Sequence, residues 1–211
     1  RTLAGAAEAT LDVLGITPEI QEYRDKGIIC DLFEGNAPYR ARYITPDYEV
    51  FMKQGSKFLE IKPAKDIWEA TTNLLILYNH VPSITTYPVY LGNLDTLLEP
   101  YIKDEEEAYK AIKLFLLQID RTITDSFCHA NLGPHKTKAG EMIMRATAEL
   151  DTMTPNLTLK YDEEVTPDDF AILGIETSLK VAKPSFANNK MFRKDFYGKD
   201  YAIASCYNGL S

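Results

Sequence analysis

The sequence is poor in cysteine. Its 211 residues contain only three, Cys30, Cys128 and Cys206, and no two of them form a CxxC pair. Disulfide frameworks and zinc modules need several cysteines at paired spacings, so the sequence indicates neither. We therefore expect reduced thiols and an intracellular, cytoplasmic protein.

Basic charge and long apolar runs are also scarce. Lys and Arg number 23 against 31 Asp and Glu, which gives a formal net charge of −8. Because nucleic-acid binding requires a basic face that neutralises phosphates, we expect no nucleic-acid partner. The longest apolar runs, such as 74–78 and 114–117, are far too short for a membrane span, and the N-terminus has no signal-peptide pattern. We expect no membrane partner either.

Helical and strand patterns alternate along the chain, whose apolar content of 45% is ordinary for a folded protein. The helices are expected over residues 66–78, 104–119, 139–150 and 167–182. The strands are expected over residues 84–91, 122–128, 156–162 and 201–206. This alternation predicts an α/β fold with some parallel sheet. No linker interrupts the pattern, so residues 1–211 are expected to form a single domain.

The helix expected over 167–182 carries apolar residues at helical spacing. We expect this helix to turn Ile172, Ile175, Leu179 and Ala182 inward. The Thr166-Pro167 pair before it is typical of a helix start, because Thr can cap the free N–H groups and Pro tolerates the first helical position.

The predicted strand 201–206 ends in a cysteine. Its alternation places Ala202, Ala204 and Cys206 on one side, as suits a segment that threads a crowded interior. A buried strand with a core cysteine has the same pattern. The residues alone favour that second interpretation, because free cysteine is among the most buried residue types.

Several segments resemble the glycyl radical enzyme superfamily, in the order in which that superfamily carries them. They are Thr45–Glu49 with Gly55, Gly92–Tyr101, Pro155–Tyr161, Thr166–Phe170, Pro184–Asn189 and Asp200–Cys206. Each segment is weak alone, and their common order and spacing carry the resemblance. Within the superfamily, Pro88–Asp95 and Ala204–Leu210 are most similar to the YjjI-type family.

The resemblance implies a fold and a domain organisation. It implies part of a ten-stranded α/β barrel that comprises the N-terminal helices, the early strands and the cysteine finger loop. Residues 1–211 would then be an incomplete domain that ends just after the catalytic cysteine, Cys206. The Arg-Val-x-Gly-Tyr motif of the superfamily is absent from this sequence. We therefore expect the glycyl radical domain to lie elsewhere and the fragment alone to be inactive.

The resemblance also implies a radical relay and its partners. A radical S-adenosylmethionine activating enzyme would generate a radical on a glycine, and Cys206 would pass it to a small organic substrate. The implied protein is an anaerobic homodimer, and no cofactor is expected within these 211 residues. Two differences from the motifs of other superfamily members leave the substrate and the reaction type open. Ser205 stands where some members have a second cysteine, and Asn208 stands where others have a glutamate base.

Further site residues are expected from the same resemblance. His129 and Asn131, with Cys128 nearby, lie where relatives contribute pocket residues, and we expect them and Asn208 to bind substrate. A capped loop with a satisfied imidazole is the structural alternative for this segment. We expect no metal at Cys128, His129 and His135, because they lack paired ligand spacing.

Asp95 has two possible roles. It either caps a helix beginning near Thr96, which we favour, or orients a neighbouring barrel residue.

Two other functions remain as alternatives. The chain can be a non-catalytic binding or structural module that contains a degenerate barrel segment. Cys206 can also be a polar thiolate nucleophile. This needs a basic neighbour to lower the thiol pKa, and the nearest one in the sequence is Lys199. We therefore favour the radical relay over the nucleophile.

Overall fold

A computed structural model of the chain describes residues 17–26, 46–85, 89–122 and 128–195. Two compact units divide the chain, Arg1–Arg42 and Tyr43–Ser211. In the first unit the structure describes helix α1, Pro18–Asp25. Proline is tolerated at the first position of this helix because its missing N–H would have no helical partner there.

The second unit contains the remaining described elements. In chain order they are α2 (Tyr48–Gln54), α3 (Ile67–Thr85), β1 (Tyr90–Asn93), α4 (Leu94–Leu98), a 3-10 turn (Glu99–Tyr101), α5 (Glu105–Arg121), β2 (His129–Leu132), α6 (Lys138–Leu150), β3 (Asn156–Tyr161), α7 (Asp168–Val181), β4 (Ser185–Asn188) and α8 (Asn189–Asp195).

The four strands form one parallel sheet in which strand order equals chain order. Each pair is joined through helices: α4 and α5 after β1, α6 after β2, and α7 after β3. Parallel neighbours need such crossovers, so the predicted α/β architecture is confirmed. The ten-stranded barrel stays a prediction, because four strands are what the described part of the chain contains.

Side-chain caps fix where several helices begin. The Asp104 carboxylate accepts the N–H of Glu107 at 2.8 Å at the start of α5, as its sequence predicts. Thr137 accepts the N–H of Gly140 at 3.0 Å at the start of α6. Helix α7 begins at Asp168 without a side-chain cap. The expected capping by Thr166 is therefore wrong, since its hydroxyl donates instead to the carbonyl of Pro134 at 2.8 Å.

Helices α3, α5, α6 and α7 pack side by side in chain order. Their buried faces meet the sheet in a core that includes Leu74, Phe115, Ile143 and Leu159. No helix of the described residues has the length and apolar character that a membrane span requires.

The inward face predicted for α7 is wrong. Ile172, Ile175 and Leu179 are 53%, 49% and 84% exposed, whereas Phe170 and Gly174 are buried. Gly174 is small enough for close approach to the sheet, since a Cβ there would lie 2.8 Å from a methyl carbon of Leu159. The helix packs through this small residue, which a pattern based on large apolar side chains does not detect.

Two predicted strands also differ from the structure. Of the strand expected over 84–91, residues 84–85 belong to helix α3 and residues 90–91 to β1, while 86–88 lie outside the described residues. Thr122 caps the end of α5, and residues 123–127 lie outside the described ranges. Strand β2 is formed by His129–Leu132, whereas the sequence predicted a strand that ends at residue 128.

Candidate functional site on the polar face of the sheet

A row of polar residues crosses all four strands of the sheet. The strand register aligns Asn93 with Asn131, Asn131 with Thr158, and Thr158 with Ser185. Aligned residues of parallel neighbours project from the same face. The hydroxyl oxygens of Thr158 and Ser185 are hydrogen-bonded at 3.1 Å, which fixes the direction of both side chains. Two amides and two hydroxyls therefore share one face.

Further polar residues extend this face along the strands. Tyr90 is aligned with His129, and their rings stack with centroids 5.7 Å apart. Lys160 follows Thr158 by two residues, so its side chain leaves the same face near the carboxyl end of β3. We call this surface the polar face. It comprises Tyr90, Asn93, His129, Asn131, Asn156, Thr158, Lys160 and Ser185.

The opposite face of the sheet is apolar. Ala130, Leu132, Leu157 and Leu159 are buried there, and α7 packs on Leu159 through Gly174. In general, a parallel sheet that is covered by helices on both faces has apolar residues on both faces. Burying polar groups instead is unfavourable unless they find polar partners. The polarity of one face is therefore the feature that identifies it as a candidate site.

Gly92 brings Asn93 into the polar row. Three residue steps separate Tyr90 from Asn93 on β1, whereas two separate their aligned partners, His129 and Asn131. The extra residue makes a bulge, and Gly92 has the left-handed φ of 62° that glycine adopts without strain. The Gly92-Asn93 pair of the sequence motif thus has a direct structural explanation.

Asp95 connects the carboxyl ends of β1 and β2. Its Oδ2 accepts the N–H of Gly133 at 2.8 Å and the hydroxyl of Thr137 at 3.2 Å, while its Oδ1 accepts the N–H of Thr96 at 2.8 Å. Helix α4 begins at Leu94, with Asn93 as its N-cap, so the favoured capping role of Asp95 is wrong. The structure shows Asp95 as a buried carboxylate that holds the turn after β2, and its orienting a barrel residue stays a prediction.

Burial dominates the ionisation of Asp95 and His129. It raises the pKa of Asp95, while hydrogen bonds from Gly133, Thr96 and Thr137 and the charge of Lys160 oppose this rise. Burial lowers the pKa of His129, a residue that is only 2% exposed. The imidazole is therefore neutral near pH 7 and suited to hydrogen bonding rather than charge pairing.

Cys128 lies on the helix side of the sheet. It precedes His129 directly and shares a core cluster with Tyr48 and Tyr78 of the helices. Burial raises the pKa of its thiol to about 12, and a hydrogen bond with Tyr78 opposes this rise. A thiol with this pKa is almost fully protonated at neutral pH, so Cys128 has the properties of a core residue.

The predicted site residues thus separate into three groups. The structure brings His129 and Asn131 together on the polar face, two residues apart on one strand. It places Cys128 on the other side of that strand. Cys206 and Asn208 lie outside the described residues. Within residues 17–26, 46–85, 89–122 and 128–195, no three His, Cys, Asp or Glu are grouped so that they could hold a metal ion.

Six residues of the polar face were not predicted as site residues: Tyr90, Asn93, Asn156, Thr158, Lys160 and Ser185. The sequence predicted Thr158 and Lys160 only as part of the strand 156–162, and Ser185 only as part of the motif segment Pro184–Asn189. The alternation of Leu157 and Leu159 already places Thr158 and Lys160 on one common face. Their polarity next to two buried leucines was the signal that could have identified them.

Comparisons with known proteins agree with the sequence motifs. A family model described as glycyl radical enzyme YjjI-like matches residues 1–211. The chain is 53% identical over 212 residues to an uncharacterized protein of Haemophilus influenzae. It is 45% identical over 210 residues to the uncharacterized protein YjjI of Escherichia coli K12. Each alignment covers 99% of this chain but 41% of the relative, so the chain spans about two fifths of these relatives' length.

Proposed function

The chain belongs to the YjjI-like glycyl radical enzyme family, and from this premise we propose that it supplies the cysteine and part of the substrate pocket of a radical enzyme. In this proposal the Cys206 thiyl radical abstracts a hydrogen atom from a small organic substrate. The radical-bearing glycine belongs to the additional length that the relatives have. The observation that carries the proposal is the family match over all 211 residues. The assignment of Cys206 rests on the resemblance of Asp200–Cys206 to the cysteine segment of the superfamily.

The relay consists of two hydrogen-atom transfers. The glycyl radical takes the hydrogen atom of the Cys206 thiol, which restores the glycine and leaves a thiyl radical. The thiyl radical then takes a hydrogen atom from a substrate carbon, which restores the thiol and leaves a substrate radical. The partner that starts the relay is an activating enzyme that uses S-adenosylmethionine. Each transfer requires reacting atoms within about 3–3.5 Å and a site that excludes water.

The polar face supports the substrate half of this proposal. It provides amides, hydroxyls, an imidazole and an ammonium group on one side of a sheet whose other side is packed by helices. A substrate needs such directional hydrogen bonds to hold one carbon–hydrogen bond against a thiyl radical. We propose that His129 and Asn131 contact the substrate from β2 and that Asn208 contacts it from the cysteine segment.

The test measures the radical itself and needs no known substrate. The full-length protein is activated anaerobically in H₂O and in D₂O, and the glycyl radical is recorded by electron paramagnetic resonance. The remaining α-hydrogen of the glycyl radical splits the signal into a doublet. A relay through a thiol exchanges this hydrogen with solvent, so the doublet should collapse in D₂O. Cys206→Ser should form the radical but keep the doublet.

Cys30→Ser is the matched control, because it removes a different thiol of the same chain. It should form the radical and lose the doublet in D₂O as the wild type does. Collapse of the doublet in Cys206→Ser contradicts the assigned role of Cys206. If no radical forms in the wild type after activation, the non-catalytic binding module becomes the better description of the protein.

A further inference from the structure

We propose that the exposed side of α7 and the neighbouring strand β4 form a docking surface for an amphipathic helix, and that this helix belongs to the part of the full-length polypeptide outside these 211 residues. We call the surface the α7–β4 groove. Its lining residues are Tyr161, Asp168, Ala171, Ile172, Ile175 and Phe186. The proposal goes beyond the proposed function, because it depends on neither the radical relay nor the total number of strands.

Large apolar side chains line this groove and face solvent. Ile172, Ile175 and Phe186 are 53%, 49% and 43% exposed, and the groove has a volume of about 520 Å³. Ile175 lies three residues after Ile172, and Leu179 lies a further four residues along, so the three side chains form one stripe on α7. A contiguous apolar surface of this kind is typical of a surface that a partner covers.

The groove lies on the face of the sheet that the helices cover. Phe186 is aligned with Leu159, on which α7 packs, and a Cβ at Gly174 of α7 would lie 3.1 Å from the Phe186 ring. The ring therefore forms the floor of the groove beside α7. Neighbouring helices pack with their axes about 8–10 Å apart, so a helix beside α7 would lie over β4 and cover this ring. An amphipathic helix has the apolar stripe that such a place requires.

The order of the helices and strands indicates what comes next in the layer. The described helices pack in chain order, α3 against α5, α5 against α6 and α6 against α7. The strands follow the same order, with β4 at the end of the described sheet. Among the described elements, α6 is the one that packs extensively on α7, and α8 leaves Ile172 and Ile175 about half exposed. The next place in the layer, beside α7 and over β4, is the groove itself.

The occupant that fits this place best is a helix of the same polypeptide. The relatives have about three fifths of their length outside the aligned region, which is enough chain for further helices. Elements that follow one another along a chain usually pack as neighbours. A tethered helix also has a high effective concentration at the groove, which a separate molecule lacks. The tether and the chain order together favour the same polypeptide over a second copy of the protein.

The first experiment measures whether the groove is covered in the full-length protein. Ile175→Cys and Met153→Cys are treated with a maleimide under native conditions, and peptide mapping gives the reaction rate of each new thiol. Met153 is the matched control, because it is an apolar residue outside the groove that is 83% exposed. Ile175→Cys should react at least about 10-fold more slowly than Met153→Cys in the native protein, and at the same rate after denaturation.

A smaller difference between the two native rates overturns the proposal. Ile172→Cys is a second variant in the same groove and should show the same protection, so the result does not depend on the folding of one variant. Neither measurement needs activation of the protein. The proposed radical relay can therefore fail while this docking surface stands, and the reverse also holds.

The second experiment identifies the occupant. Benzoylphenylalanine, a photoreactive analogue of phenylalanine, is introduced in place of Ile175 in the purified full-length protein, and cross-linked peptides are sequenced by mass spectrometry. We expect a cross-link within one polypeptide to a peptide outside the 211 residues. A covalent dimer on a denaturing gel would show that a second copy covers the groove, and a cross-link to a peptide within the 211 residues would show that this part of the chain covers itself. Either result, or the absence of any cross-link, overturns the proposal.

Discussion

The carboxylate of Asp95 accepts a 2.8 Å hydrogen bond from the backbone N–H of Gly133, which lies 38 residues later in the sequence. Both groups are buried, and the bond holds the turn that follows β2. Gly133 adopts a left-handed φ of 72°, and a Cβ there would lie 2.7 Å from the carbonyl oxygen of Lys160. The turn that joins β2 to helix α6 is therefore held by a buried carboxylate of another element.

Replacing Asp95 by alanine should destabilise the fold. The substitution leaves the buried N–H of Gly133 without its acceptor, which costs about 1–3 kcal/mol in the free energy of unfolding. Urea denaturation of wild type and variant measures this difference. Thr96→Ala is the control, since it removes only a weak 3.3 Å bond between the Thr96 hydroxyl and Asp95. A cost for Asp95→Ala below that of Thr96→Ala contradicts the assigned role.

The cost of Asp95→Ala should also depend on pH. Burial raises the pKa of Asp95 above the value of 3.8 that it has when unfolded. Between these two pKa values the folded state holds more protons, so the contribution of Asp95 to stability is full below pH 3.8 and falls as pH rises through the folded pKa. The free-energy difference between wild type and Asp95→Ala should shrink over this range. If the free-energy difference between wild type and Asp95→Ala grows with pH instead, the pKa of Asp95 is lowered by folding, and the prediction is wrong.

The contribution of His129 to stability should depend on pH in the opposite direction. Burial lowers its pKa below the value of 6.5 in the unfolded chain, so the folded state resists protonation. The stability that this contributes is complete above pH 6.5 and is lost as pH falls toward the folded pKa. His129→Phe keeps a ring beside Tyr90 but cannot titrate. The decline of wild-type stability from pH 7 to pH 5 should be smaller in this variant, and an identical decline in both proteins contradicts the prediction.

The sequence predicts well those elements whose boundaries depend on local contacts. Helix α5 begins where the Asp104 cap indicates, and β3 coincides with the alternation of Leu157 and Leu159. Strand β2 was not predicted, because His129 and Asn131 on the polar face remove the apolar pattern of a buried strand. Polar residues on a buried strand break local rules in this way, and the resemblance to the superfamily, rather than the hydrophobic pattern, indicated these two as site candidates.

The polar row depends on strand register, which the sequence alone does not contain. Asn93 joins Asn131 only through the bulge at Gly92, and Ser185 joins Thr158 only through pairing between strands 27 residues apart. These pairings join segments that are distant in the sequence, so no local pattern specifies them. The sequence could therefore indicate individual polar residues but not their common surface.

Cys128 should be unreactive in the folded protein. Burial raises the pKa of its thiol to about 12, so almost no thiolate is present at pH 8. Treatment with iodoacetamide followed by peptide mapping should leave Cys128 unmodified under native conditions and modify it after denaturation. Rapid native modification contradicts this and shows that the thiol reaches solvent. The peptides that contain Cys30 and Cys206 are measured separately in the same digest.

The last prediction concerns the orientation of α7, because the sequence pattern predicts one buried face and the structure buries another. Phe170 is fully buried and Leu179 is 84% exposed. Phe170→Ala should therefore cost about 3–5 kcal/mol in the free energy of unfolding of the 211-residue chain, whereas Leu179→Ala should change it by less than about 0.5 kcal/mol. Gly174→Ala should cost about 1–3 kcal/mol, since its Cβ would press on Leu159. If Leu179→Ala costs more than Phe170→Ala, α7 packs through the face that its large apolar residues indicate, and the close contact at Gly174 is not present in solution.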